Sequence, residues 1–186
     1  MKFSYDFKLS EHSGSSRVYV CGDITARIDF LSGSMMRVAL FRDDCKMLPT
    51  FTVDPQNEFL TEGRDKLSLD GFSLFAPQVN ETAEGECFSL GNVEAELNTH
   101  NFILSYKKDG KLLFADRAPL AYNFQNEFGN GTYHYLTREK GEKIYGLGDK
   151  GGSVNKAGRT FRIETSDSMG YDAETSDPLY KHVPFY

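Results

Sequence analysis

Gly146-Leu147-Gly148-Asp149-Lys150-Gly151 has the Gly-x-Gly-x-x-Gly spacing that lets a backbone approach a dinucleotide pyrophosphate. That chemistry needs a buried strand before the glycines and a helix after them, so that the phosphates sit on the helix N-terminus. Here Gly151, Gly152 and Gly158 make a poor helix, and the strand-like alternation Arg159–Glu164 follows. The spacing therefore reads as a glycine-shaped turn at a strand end. His12, His100, His134 and His182 show no metal-ligand spacing, and His134 lies in a strand pattern between two tyrosines, a structural position. Cys21, Cys45 and Cys87 form no Cys-x-x-Cys unit, and there is no Gly-x-Ser-x-Gly elbow. No metal and no cofactor is expected.

Glu164-Thr165-Ser166-Asp167-Ser168-Met169-Gly170-Tyr171-Asp172 offers different chemistry. A strand ends in a small polar run with a carboxylate and a glycine at its tip. Such a loop pushes Asp167 beyond a sheet edge, where a carboxylate accepts hydrogen bonds from vicinal sugar hydroxyls.

The elements that must position this loop read as β almost throughout. Ile24, Ala26, Ile28 and Phe30 alternate with Thr25, Arg27 and Asp29, a period of two with one buried face. Met36–Phe41 continues the pattern after a turn at Gly33, and Val93, Ala95 and Leu97 repeat it. A polar turn at Asn98–Asn101 leads into Phe102–Tyr106, and Asp109-Gly110 marks a hairpin before Leu112-Leu113-Phe114. Tyr133–Leu136 and Arg159–Glu164 supply two later strands. The stretch from Pro55 to Gly85 reads as long loops with one or two short strands. Turn clusters at short, regular intervals and the lack of any 3.6-residue apolar stripe predict an all-β, antiparallel β-sandwich.

A chain of 186 residues suits one domain, residues 1–186, with a real core. A net charge of −6 with scattered Lys and Arg argues against nucleic acid as a partner. Met1–Asp6 lacks the apolar region of a signal peptide and no run approaches a membrane span, so the expectation is a cytoplasmic protein with free thiols and no membrane partner.

The final third narrows the function. Tyr145-Gly146-Leu147-Gly148-Asp149, then Asn155-Lys156-Ala157-Gly158-Arg159, then Asp167, then Asp177 through Tyr186 follow in order. Over Tyr133–Tyr186 this resembles the end of the N-terminal domain of glycoside hydrolase family 31, the α-glucosidase family. Val93–Asp116 is compatible with it, and the first ninety residues add β character. Thr165-Ser166 departs from the Asn followed by Thr or Arg that often precedes the family's Asp.

The resemblance implies a galactose-mutarotase-like sandwich that braces a catalytic barrel. It also implies that Asp167 reaches the active-site mouth and helps hold the sugar beyond the cleaved bond. Lys181, His182 and Pro184 match the family's exit strand and read as structural. Retaining α-glycosidases need two carboxylates about 5–5.5 Å apart, kept in this family on a barrel of roughly 250 residues. This chain has neither that length nor the helices, and no tryptophan. No catalytic residue is expected within it, and the isolated chain is expected to be inactive. Its partners would be an α-linked oligosaccharide, in the parent enzyme, and the barrel itself. The barrel-facing side should expose apolar side chains, through which the isolated domain could self-associate.

Two other classes share the sandwich. A small aldose 1-epimerase would need general acid and base groups across one groove, for example His100 and His134 with Glu94 or Glu96. A free-standing carbohydrate-binding module would stack sugars on exposed aromatic rings, here Tyr or Phe.

Overall fold

The alternation at residues 24–30 turns Ile24, Ala26, Ile28 and Phe30 to one face of a strand, where all four are buried. A computed structural model describes residues 4–31, 35–52, 56, 61–124 and 131–186. It divides into two compact units, residues 1–137 and 138–186.

In the first unit, β1 (Lys8–His12), β2 (Ser16–Cys21), β3 (Ile24–Leu31) and β4 (Met35–Arg42) form one antiparallel sheet in chain order. A second antiparallel sheet takes β5 (Gln78–Glu81), β6 (Gly85–Leu90), β7 (Val93–Asn98), β8 (Ile103–Lys108) and β9 (Lys111–Ala115), again in chain order. β10 (Tyr122–Asn123) and β11 (Tyr133–His134) make a short third pair. The two large sheets share one core, in which Phe30 of β3 meets Phe88 of β6 with ring centroids 5.2 Å apart. Tyr19 of β2 meets Phe102 edge-on at 5.6 Å. Each such buried ring contributes about 1.5–3 kcal/mol. This is an all-antiparallel β-sandwich.

The turn before β8 is tighter than a polar run suggests. Asn101 and Phe102 both take positive φ, 63° and 51°, and β8 begins only at Ile103. Asn is among the few non-glycine residues that visit this region, and distant backbone groups hold the side chain there: Oδ1 accepts the Tyr5 amide and Nδ2 donates to the Pro119 carbonyl. The same corner ties the chain's start to the second sheet, through Phe7 N to Thr99 O and Asn101 N to Tyr5 O. Asp109 and Gly110 take φ of 49° and 74°, the mirror-image turn that an Asp-Gly hairpin requires.

Three readings need correction or bounding. Asp29 is on the polar face of β3 but is fully buried. The strand expected over Tyr133–Leu136 keeps only Tyr133 and His134, with Leu136 in a lone bridge to Asp116. Of the Pro55–Gly85 stretch, Arg64 bridges Thr50 and β5 is a strand, while Pro55 and the Gly33 turn lie outside the described residues.

Among the described residues there is no helix, hence none long and apolar enough to cross a membrane. In the second unit the described backbone holds no strand ladder, only a bridge between Gly148 and His182.

Candidate functional site

Residues 159–164 do not form the expected strand. Two side chains do the work of a neighbouring strand instead. Lys150 Nζ donates to the Arg162 carbonyl, and Asp177 Oδ2 accepts the Arg162 amide at 2.7 Å. Lys150 and Asp177 are themselves paired at 2.9 Å, with the lysine side chain fully buried. Phe161 lies against Lys150, Lys156 and Arg159, with the cationic groups 4.8–5.8 Å from its ring centre. That cage, and no sheet, explains the apolar Phe161 between basic neighbours.

His182 completes the hub. Its Nδ1 lies 3.1 Å from Lys150 Nζ and its Nε2 lies 2.8 Å from the Leu179 carbonyl. The lysine donates to Nδ1, so the proton on Nε2 donates to Leu179. These two bonds tie His182 into the packing around Lys150. Burial pushes the Asp177 carboxyl up. The Arg162 amide and the Lys150 ammonium outweigh that and hold it below the usual carboxylate value.

The glycines of the Gly-x-Gly-x-x-Gly run serve this packing. Gly146 and Gly148 have φ of 96° and 79°. A Cβ at either would lie 2.4 or 2.5 Å from the carbonyl oxygens of Phe185 or Lys181. Only glycine lets the two backbones meet, through Leu147 N to Phe185 O and Asp149 N to Lys181 O. No helix follows, so a nucleotide has no phosphate cradle here.

From this root the loop carries Asp167 outward. Ser166 N donates to Leu179 O, and Ser168 Oγ to Pro178 O at 2.7 Å. Asp167 is exposed, and its Oδ1 accepts the Tyr180 hydroxyl at 2.9 Å. The carboxylate raises the Tyr180 phenol above its ordinary value, so the phenol remains a donor. Asp172 Oδ1 takes the Glu174 and Thr175 amides, which closes the next turn. Asp167 thus sits on a fixed root with an open acceptor oxygen, able to bind a hydroxyl-bearing ligand.

The residues imagined for an epimerase are not brought together. His100 Nδ1 lies 2.6 Å from Asp6, Glu96 pairs with Lys107 at 2.7 Å, and His134 bonds Asp116. The pairing of Lys150 with Asp177 carried no short-range signal, because the two are 27 positions apart and only folding joins them.

Residues 25–186 match the family model described as the glycosyl hydrolase 31 N-terminal galactose mutarotase-like domain. The chain belongs to that family. Among solved structures, this family 31 domain is similar to a Flavobacterium johnsoniae GH31 dextranase, FjDex31A, solved with glucose and, as a point variant, with isomaltotriose. Both comparisons give a TM-score of 0.69 at 24% identity, and cover 97% of this chain but 21% of the dextranase. The domain therefore spans about a fifth of that chain's length. At this identity the likeness carries the fold. No curated protein matches the family 31 domain.

Proposed function

We propose that residues 1–186 act as the N-terminal domain of a cytoplasmic, retaining α-glucosidase of family 31. The domain braces a catalytic barrel and lends it the Asp167 loop. The substrate is an α-linked oligosaccharide, and Asp167 accepts hydroxyls of the sugar beyond the cleaved bond. The catalytic carboxylates reside on the barrel. The observation that carries this reading is the Asp167 loop itself, an exposed carboxylate on a root fixed by Lys150, Asp177 and Tyr180.

The surface of residues 138–186 supports the bracing role. Val154, Met169 and Phe185 are 75%, 89% and 77% exposed, and Tyr171 and Tyr186 are also open. A surface evolved to stay in water seldom shows so many large apolar groups in so short a stretch. Self-association of the isolated chain through these side chains follows, and sedimentation at rising concentration should show its average mass increase.

The test of the site is Asp167→Ala in the parent enzyme. Loss of a charged acceptor for sugar hydroxyls should lower kcat/KM on an α-linked disaccharide by about 10- to 100-fold. An aryl α-glucoside, whose leaving group has no such hydroxyls, should change far less. Equal losses on both substrates, or none on either, would remove Asp167 from sugar recognition.

A further inference from the structure

The sandwich unit has a cleft of about 390 Å³, within the usual size range of small-molecule sites. β4 contributes Leu40 to one side, β8 and β9 contribute Tyr106 and Phe114, and the short β10–β11 pair contributes Tyr122 and His134. The aromatic groups form two stacked pairs. Tyr106 and Phe114 lie 4.3 Å apart at 22°, and Tyr122 and His134 lie 4.3 Å apart with parallel planes.

The polar groups converge on Asp116. Its side chain is nearly buried, with Oδ2 accepting the Leu104 amide at 2.9 Å and Oδ1 meeting His134 Nε2 at 2.8 Å. Because the carboxylate takes the Nε2 proton, the second imidazole nitrogen is left as an acceptor, without a partner among the described residues. The Tyr106 and Tyr122 hydroxyls likewise have no hydrogen-bond partner among the described residues, and both residues line the cleft. Burial, and after it the Asp116 charge, hold both phenols above their ordinary value, so both remain donors.

This inventory selects a ligand class. No Lys or Arg lines the cleft among the described residues, which disfavours phosphates and carboxylates. Aromatic walls beside a carboxylate also suit a quaternary ammonium ion. Such an ion, however, offers no hydrogen to the free imidazole nitrogen, and Asp116 is already satisfied by two donors. A neutral ring with an apolar C–H face and several hydroxyls meets every group. We propose that this cleft binds a single pyranose unit, free or at the end of an oligosaccharide, through the aromatic faces, the two phenol hydroxyls and His134. The proposal does not rest on the role assigned to Asp167. It is a binding site and not an epimerase, because anomer exchange needs a second proton-transfer group and the raised phenols are poor acids at neutral pH.

The 186-residue chain is the material for the test. Titration with methyl α-D-glucopyranoside should give saturable binding with a Kd on the order of 1 mM by calorimetry. The His134 ring resonances should shift in step with it. Tyr106→Phe removes one hydroxyl while keeping the ring, and should weaken binding by about 3- to 10-fold. His134→Ala should weaken it by more than about tenfold, with the urea unfolding curve reporting that the variant is folded. Lys8→Ala, an exposed change on β1 outside the cleft lining, should leave it unchanged. The proposal is overturned by any one of three results: no saturation up to about 50 mM, binding indifferent to both cleft variants, or a His134 response to choline but not to the glucoside.

Discussion

Lys150→Met is expected to release the root of the Asp167 loop. Methionine matches the length of the lysine stem but leaves Asp177 without its cation and the Arg162 carbonyl without its donor. Removing one partner of a buried pair typically costs 3–5 kcal/mol; because the Asp177 side chain keeps 15% exposure, about 2–4 kcal/mol is expected here. Amide exchange at Arg162 and Ser166 should accelerate by roughly 30- to 1,000-fold. The wild-type chain should show an acid counterpart. Asp177 has a depressed pKa, so its contribution is complete above the unfolded value near 3.9 and is lost as pH falls below about 4 toward the folded value. Lys150→Met should blunt that acid step, since the Lys150 ammonium is one of the causes of the depression. Unchanged exchange at both amides in the variant would show that backbone contacts alone hold the loop.

The second large effect is expected at Asp29. Cross-strand pairing places Ser16 and Arg37 directly beside it, and Arg27 is two residues back on the same face. Oδ1 accepts Ser16 Oγ at 2.6 Å and Arg27 Nε at 2.7 Å, while Oδ2 accepts both Nε and Nη2 of Arg37, at 3.0 and 2.6 Å. Arg37 then reaches the Lys66 and Leu67 carbonyls, so the guanidinium fastens the segment that covers this face. Asp29→Ala leaves two guanidinium groups without their shared carboxylate. Both are about a fifth exposed, at 23% and 21%, so water recovers part of the loss. A destabilisation of about 3 kcal/mol is expected, read from the urea midpoint at unchanged slope. Asp29→Asn, which keeps the shape and two polar atoms, should lose about half as much. A change below about 0.5 kcal/mol in the alanine variant would mean that the cluster contributes no more than an ordinary surface ion pair.

Asp29 also shows where the sequence stops being legible. The alternation through Ile24, Ala26, Ile28 and Phe30 reveals the strand, its core face and the sandwich class, because burial on one face imposes a period of two. Asp109-Gly110 reveals its hairpin for an equally local reason. What covers the other face of β3 depends on a loop some forty residues away, and nothing in the spacing around Asp29 records it. The same holds at the candidate site. The tip could be read, since Asp167 and Gly170 lie within a few positions of one another. Its root could not: Lys150 and Asp177 replace a strand with side chains, and so residues 159–164 have the pattern of a strand but no ladder. The cleft's Asp116 and His134 are 18 positions apart and meet through the bridge of Asp116 to Leu136 together with the pairing of β10 with β11.

The order of the strands also bears on how the protein is made. Each large sheet is a meander in which every strand pairs with its immediate neighbours in sequence. A chain leaving the ribosome therefore holds all four strands of the first sheet once Arg42 has emerged, and all five of the second once Ala115 has. Such short-range contacts form quickly and leave few apolar edges waiting for a distant partner. A much longer-range backbone contact is made at the corner where Tyr5 and Phe7 meet Asn101 and Thr99. That contact joins residues 5 and 7 to a turn made nearly a hundred residues later, which makes it a natural late latch for vectorial folding.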